Sequence, residues 1–174
     1  LIVKAKKGKN KNSKGKKKLV PKQLENIERK GKDYRHGHNI VGDDFLNAFK
    51  IRGGEFGNYT NDKDRQANLN MAYEAFCDLA DALEISREDI GLVGLETGAL
   101  GIAFGARGHG NALAHYEPGR EVINLTKLRG AGSLAHEWGH AFDDFLGKIV
   151  DSHIVGHYAT NMLRLMRFQN RLKR

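Results

Sequence analysis

The sequence predicts an α+β domain, a small antiparallel or mixed sheet packed on helices. Three observations carry that prediction. Apolar residues recur at three- and four-residue steps from about Asp62 to Glu84. Three short strand-like stretches follow between residues 101 and 125, separated by glycine-rich and turn-forming residues. A segment with one apolar and one polar face, 133–147, comes directly after them. At 174 residues, the chain is long enough for one domain with a real core.

Taken in order, the elements begin with a tail. Residues 4–18 hold nine lysines and no acid, and subtracting those nine from the net charge of +8 leaves −1 for the rest. The basic character therefore belongs to residues 1–20, whose Lys, Gly, Asn and Ser content predicts a disordered linker. Such a tail either attracts phosphate, giving nucleic-acid contact without sequence specificity through residues 4–18, or serves as a solvated linker. Pro21 to Lys30 reads as a short helix ending at Gly31, and Asp43 to Phe49 as another. His36-Gly37-His38, between them, reads as a polar loop. In the strongest helix, Asp62 to Glu84, the stripe Leu69, Ala72, Tyr73, Phe76, Leu79, Ala80 and Leu83 is core. Asn61 or Thr60 can cap it, and it is expected to back the sheet. Cys77 lies on its apolar side as a small buried hydrophobe. Ile85 to Ile90 makes a short turn.

The strands are Gly101 to Phe104, Ala112 to Tyr116 and Glu121 to Leu125. Glu117-Pro118-Gly119-Arg120 turns between the second and third, and Gly105 to Gly110 loops between the first and second. A last basic helix is expected from about His157 to Arg174, either packing on the domain or leading to a further one. The division is a tail over 1–20, a domain over 21–150 and a basic helix within 151–174. No apolar run approaches the roughly 20 residues that span a bilayer, which excludes a membrane partner. Leu1-Ile2-Val3 is too short for a signal-peptide core. One cysteine cannot form an internal disulfide and fits a reducing, intracellular setting. The absence of an initial Met predicts a fragment of something longer.

Residues 136–140 read His-Glu-Trp-Gly-His. At about 100° per residue, His140 falls about 40° from His136 and Asp143 about 20° to its other side. Leu134, Trp138, Ala141, Phe142 and Phe145 fall opposite, on an apolar face. Two histidines four residues apart on a helix can grip one zinc ion, and a glutamate beside the first can activate a zinc-bound water. The candidate metal ligands are therefore His136 and His140, and the candidate catalytic base is Glu137. Ser133 serves as N-cap and Gly147 as the residue after the helix. Asp143 lies about 10 Å along the axis from His136, too far to share one ion easily, and is placed to accept the free ring N–H of His140. Asp144 is expected to be an exposed or capping acid. The third ligand stays open among Asp143, Asp151, His153, His157 and groups outside the chain. Leu146, six residues after His140, excludes the metzincin arrangement.

A small sheet followed at once by such a helix resembles zincin metallopeptidases, in which an edge strand binds the substrate main chain by strand addition. Residues 101–105 or 112–116 would be that strand. Several longer strings carry a second likeness. They are Ile51-Arg52-Gly53-Gly54-Glu55-Phe56-Gly57-Asn58-Tyr59, Leu100 to Gly108, Ala114 to Arg120, Ile123-Asn124-Leu125-Thr126 and Gly130 to Trp138. Together they resemble the large polyvalent protein-associated domain of phages and mobile elements, over roughly residues 20–147. That resemblance implies a zincin-like module of a long multidomain protein that enters a recipient cell with phage or conjugative DNA, acting in the bacterial cytoplasm. His136 to Asp144 is also similar to the His-Glu-x-x-His-x-Phe-Asp-Asp run of neprilysin-type peptidases. Those use a downstream glutamate as third ligand, whereas no Glu follows Glu137 here. The expected function is a zinc-dependent hydrolase, a metallopeptidase acting on protein or peptide. The alternative is a non-catalytic zincin-like scaffold that binds protein or DNA through the basic tail and last helix.

Overall fold

The computed structural model describes residues 29–57, 62–105, 114–125, 130–150 and 158–161. The lysine-rich tail, most of the helix expected over 21–30, the caps Thr60 and Asn61, and Asp151, His153 and His157 lie outside them. So does most of the last basic helix.

The first helix, α1 (Gly42–Phe49), carries Asp43 and Asp44 in its first turn, where acids suit the helix dipole, and buries Phe45 and Phe49 one turn apart. Strand β1 (Gly53–Phe56) follows. Its two glycines and lack of alternation give it no strand signature of its own. Its partner organises it: β1 runs parallel to β2 (Gly101–Phe104), with Phe56 stacked on Phe104 at 4.9 Å between ring centres. The long helix α2 (Asp62–Leu83) lies between them in sequence, the crossover that a parallel pair requires. It buries Leu69, Ala72, Phe76 and Ala80 as predicted, together with Cys77. Leu83, expected in the core, is exposed. Arg29, expected to be helical, lies in irregular chain and pairs with Asp78 and Glu74 of α2.

After α2 a 3₁₀ turn, Glu88–Ile90, leads into the loop before β2. Gly91 approaches the end of α1 so closely that a Cβ there would lie 2.3 Å from the carbonyl oxygens of Phe49 and Lys50. Strands β3 (Ala114–Glu117) and β4 (Val122–Leu125) form a hairpin across the predicted turn. The sheet order is β1-β2-β4-β3, with β1, β2 and β4 parallel and β3 antiparallel. The fold is thus α+β with a mixed four-stranded sheet.

The last long helix, α3 (Gly130–Val150), lies on β3 and β4 and against α2. The expectation that α2 backs the sheet is refined, because α2 packs chiefly against α3 and α1, with its own buried residues in the shared core. Leu134, Trp138 and Ala141 of α3 are core, and the Trp138 indole donates to the Ile90 carbonyl at 2.9 Å. Phe142, expected on the packed face, is 40% exposed. Both predicted helix ends move outward. The helix starts before Ser133, which is therefore no N-cap, and it continues three residues past Gly147. Lys148, bonded back to Asp144 one turn earlier, holds that final turn. Among the described residues, no helix is long and apolar enough to cross a membrane.

Candidate functional site

His136 and His140 project from α3 on its solvent-facing side, one turn apart. Their Nε2 atoms stand 3.1 Å from each other, with the rings 4.7 Å apart and nearly perpendicular. Two nitrogens bound tetrahedrally to one zinc at about 2 Å each would be about 3.3 Å apart, so the pair fits a shared ion. Glu137, at 8% exposure, lines a cleft of about 410 Å³. His140 and Asp143 line the same cleft from α3, and Ala114, His115 and Tyr116 line it from β3. Tyr158 and Thr160 complete it, with the Tyr158 ring 6.2 Å from that of His140.

Of the two strands considered for substrate pairing, β2 is buried throughout and hydrogen-bonded on both sides. It has no free edge to offer. Strand β3 is at the edge of the sheet and beside the cleft. That discards 101–105 and leaves 112–116, of which Ala114 onward is described.

Asp143 does not hold His140. Its two oxygens take the Thr160 N–H at 3.0 Å and the Thr160 hydroxyl at 2.7 Å. The carboxylate thereby pins the chain that follows α3 against the cleft. Asp144 is not an exposed acid. It is fully buried, and Oδ2 accepts from Tyr116 Oη at 2.9 Å and pairs with Lys148 Nζ at 2.9 Å. Among the described residues, no group of three or more His, Cys, Asp or Glu side chains is arranged to hold a metal.

Comparison with protein-family models, curated proteins and solved structures returned no match.

Behind the cleft wall lies a buried ionic cluster that sequence reasoning missed. Lys148 Nζ bonds Glu121 Oε1 at 2.9 Å as well as Asp144. Glu121 also accepts the backbone N–H groups of Glu96 and Thr97 and the Thr97 hydroxyl. It holds a left-handed backbone, φ 51°, which these contacts enforce. Burial alone would raise the Glu121 carboxyl, but the donors from Lys148, Thr97 and Glu96 outweigh it and bring it down to about 2. Burial likewise opposes the Lys148 ammonium, and its bonds to Glu121 and Asp144 reverse that and raise it. The Tyr116 phenol is pushed up by burial and by Asp144, so it stays a donor. The Asp144–Lys148 spacing is the one local signal for this cluster. Glu121 lies 27 residues from Lys148, a separation without any sequence signature.

Proposed function

We propose that this chain is a zincin-like, zinc-dependent hydrolase, most simply a metallopeptidase module of a larger polyvalent protein of a phage or mobile element. The observation that carries the proposal is the His136–His140 Nε2 pair, 3.1 Å apart, with His140 and the buried Glu137 lining a cleft that an edge strand borders. Zinc, when bound, supplies Lewis acidity and acidifies water. His136 and His140 hold it from one side of α3. Glu137 takes the proton of the attacking water and passes it to the leaving amine. The outer edge of β3, which no described strand pairs, hydrogen-bonds an extended peptide and fixes its register. The resemblance to the polyvalent-protein domain supports the same assignment, along with a cytoplasmic setting and attachment to further domains.

A second function has one observation in its favour. Nine lysines without an acid in residues 4–18 favour a non-catalytic scaffold binding protein or DNA as the alternative. The basic residues 4–18 would supply non-specific nucleic-acid contact. Metal content separates the two. The hydrolase should purify with about one zinc per chain, as one site binds one ion, and lose it on His136→Ala. Glu137→Gln should keep the metal and abolish peptide hydrolysis. Turnover retained by Glu137→Gln rejects the mechanism, and absence of zinc from the wild type favours the scaffold.

A further inference from the structure

Three side chains at the end of the sheet form a cluster that the hydrolytic chemistry does not use. His115 and Glu117 stand on the same side of β3, and Asn124 on β4 is the cross-strand partner of His115. Asn124 donates from Nδ2 to Glu117 Oε1 at 2.7 Å, and His115 Nε2 lies 3.3 Å from the same oxygen. In the tautomer protonated on Nε2 His115 donates to this oxygen and keeps Nδ1 as an acceptor, and the same oxygen orients the Asn124 amide.

Two acceptors are left over. His115 Nδ1 and Asn124 Oδ1 are both buried and have no hydrogen-bond partner. Asn124 as a whole is 0% exposed. Buried acceptors without donors are uncommon in folded proteins, and a bound water or a ligand's N–H would satisfy them. His115 also borders the cleft that Glu137 and His140 line. A peptide added to the outer edge of β3, which no described strand pairs, would send alternate side chains to the His115 and Glu117 side. There they meet acceptors and a carboxylate. The Arg120 guanidinium already stands 3.8 Å from Glu117 Oε2, at the exposed rim.

The geometry points to a specificity subsite in which His115, Glu117 and Asn124 receive a lysine or arginine side chain of an extended peptide laid along β3. The cation's N–H groups satisfy His115 Nδ1 and Asn124 Oδ1, and its charge faces Glu117. The subsite deepens the peptidase function proposed above and rests on it for the peptide's path.

The test uses the full chain carrying Glu137→Gln, zinc-loaded, and fluorescein-labelled alanine-based peptides of about ten residues, long enough to cover an edge strand. One position, moved along the peptide, is arginine, lysine, norleucine or glutamate, and binding is read by fluorescence anisotropy. In at least one register the arginine and lysine peptides should bind about tenfold tighter than the norleucine peptide, the worth of a charge-assisted hydrogen bond. Adding Glu117→Gln should erase that preference, bringing the arginine and lysine peptides to the affinity of the norleucine peptide. His115→Ala should do the same, and Glu117→Gln, which keeps the side chain's shape, decides where His115→Ala fails to fold. Equal binding of all four peptides overturns the subsite while the peptidase function stands. No binding by any peptide, with zinc still held, overturns strand docking and the subsite together. A protein that takes up no zinc yet keeps the arginine preference overturns the hydrolase and retains the subsite, because these residues belong to β3 and β4 and not to α3.

Discussion

Tyr116 donates its hydroxyl to Asp144 at 2.9 Å, and both residues are buried. This bond ties the edge strand β3 to the helix that carries His136, Glu137 and His140. It spans 28 residues and sets the strand against the helix from inside the cleft wall. Tyr116→Phe removes the donor and leaves Asp144 one partner short in a buried place. The cost should be about 1–3 kcal/mol, measured as a lower urea midpoint. A midpoint equal to wild type would mean that the bond does not hold strand to helix.

Lys148 sits between two buried carboxylates, Asp144 and Glu121, each 2.9 Å away. Removing the cation leaves both acids uncompensated, whereas neutralising one acid leaves a balanced pair. Lys148→Met should therefore cost about 3–5 kcal/mol, and Asp144→Asn clearly less. Denaturant unfolding of the two variants checks the order, and the reverse order would contradict the charge balance described here.

The Glu121 carboxyl is lowered from 4.5 to about 2 in the folded chain. A carboxyl depressed on folding stabilises fully above its unfolded value, and that contribution is lost as pH falls through its folded value. Stability should hold as pH drops toward about 4.5 and then fall steadily toward about 2. Glu121→Gln should be less stable near neutral pH and should fall less steeply across that window. Urea unfolding at a series of pH values measures both slopes, and parallel slopes would remove Glu121 as the source.

Phe76 is fully buried, with its ring 5.2 Å from that of Phe49 and 6.0 Å from that of Phe45. Phe76→Ala empties that aromatic cluster and should cost about 3–5 kcal/mol. Phe142→Ala, on a half-exposed ring of α3, should cost markedly less, since the site is already partly wet. Thermal and urea unfolding compare the two, and similar losses would place Phe142 in the core.

Local sequence pattern alone determined α2 almost to its ends, the three strands after it and the orientation of the His-Glu-x-x-His face. These are local properties: an apolar stripe at helical spacing, glycine and proline at turns, and a 3.6-residue repeat that aligns His136 with His140. Tertiary structure decided the rest. Strand β1 exists because β2 offers it a parallel partner, and no pattern in Gly53-Gly54-Glu55-Phe56 announces that. Pairing order made β3 rather than β2 the edge, because β4 lies between them in the sheet though it follows both in the chain. Asp143 and Asp144, adjacent and chemically alike, part company for the same reason. One faces the cleft and finds Thr160, and the other faces the core and must be matched by Tyr116 and Lys148. A buried charge needs partners from wherever the fold supplies them, and the choice of partner is made in space and leaves no spacing to read.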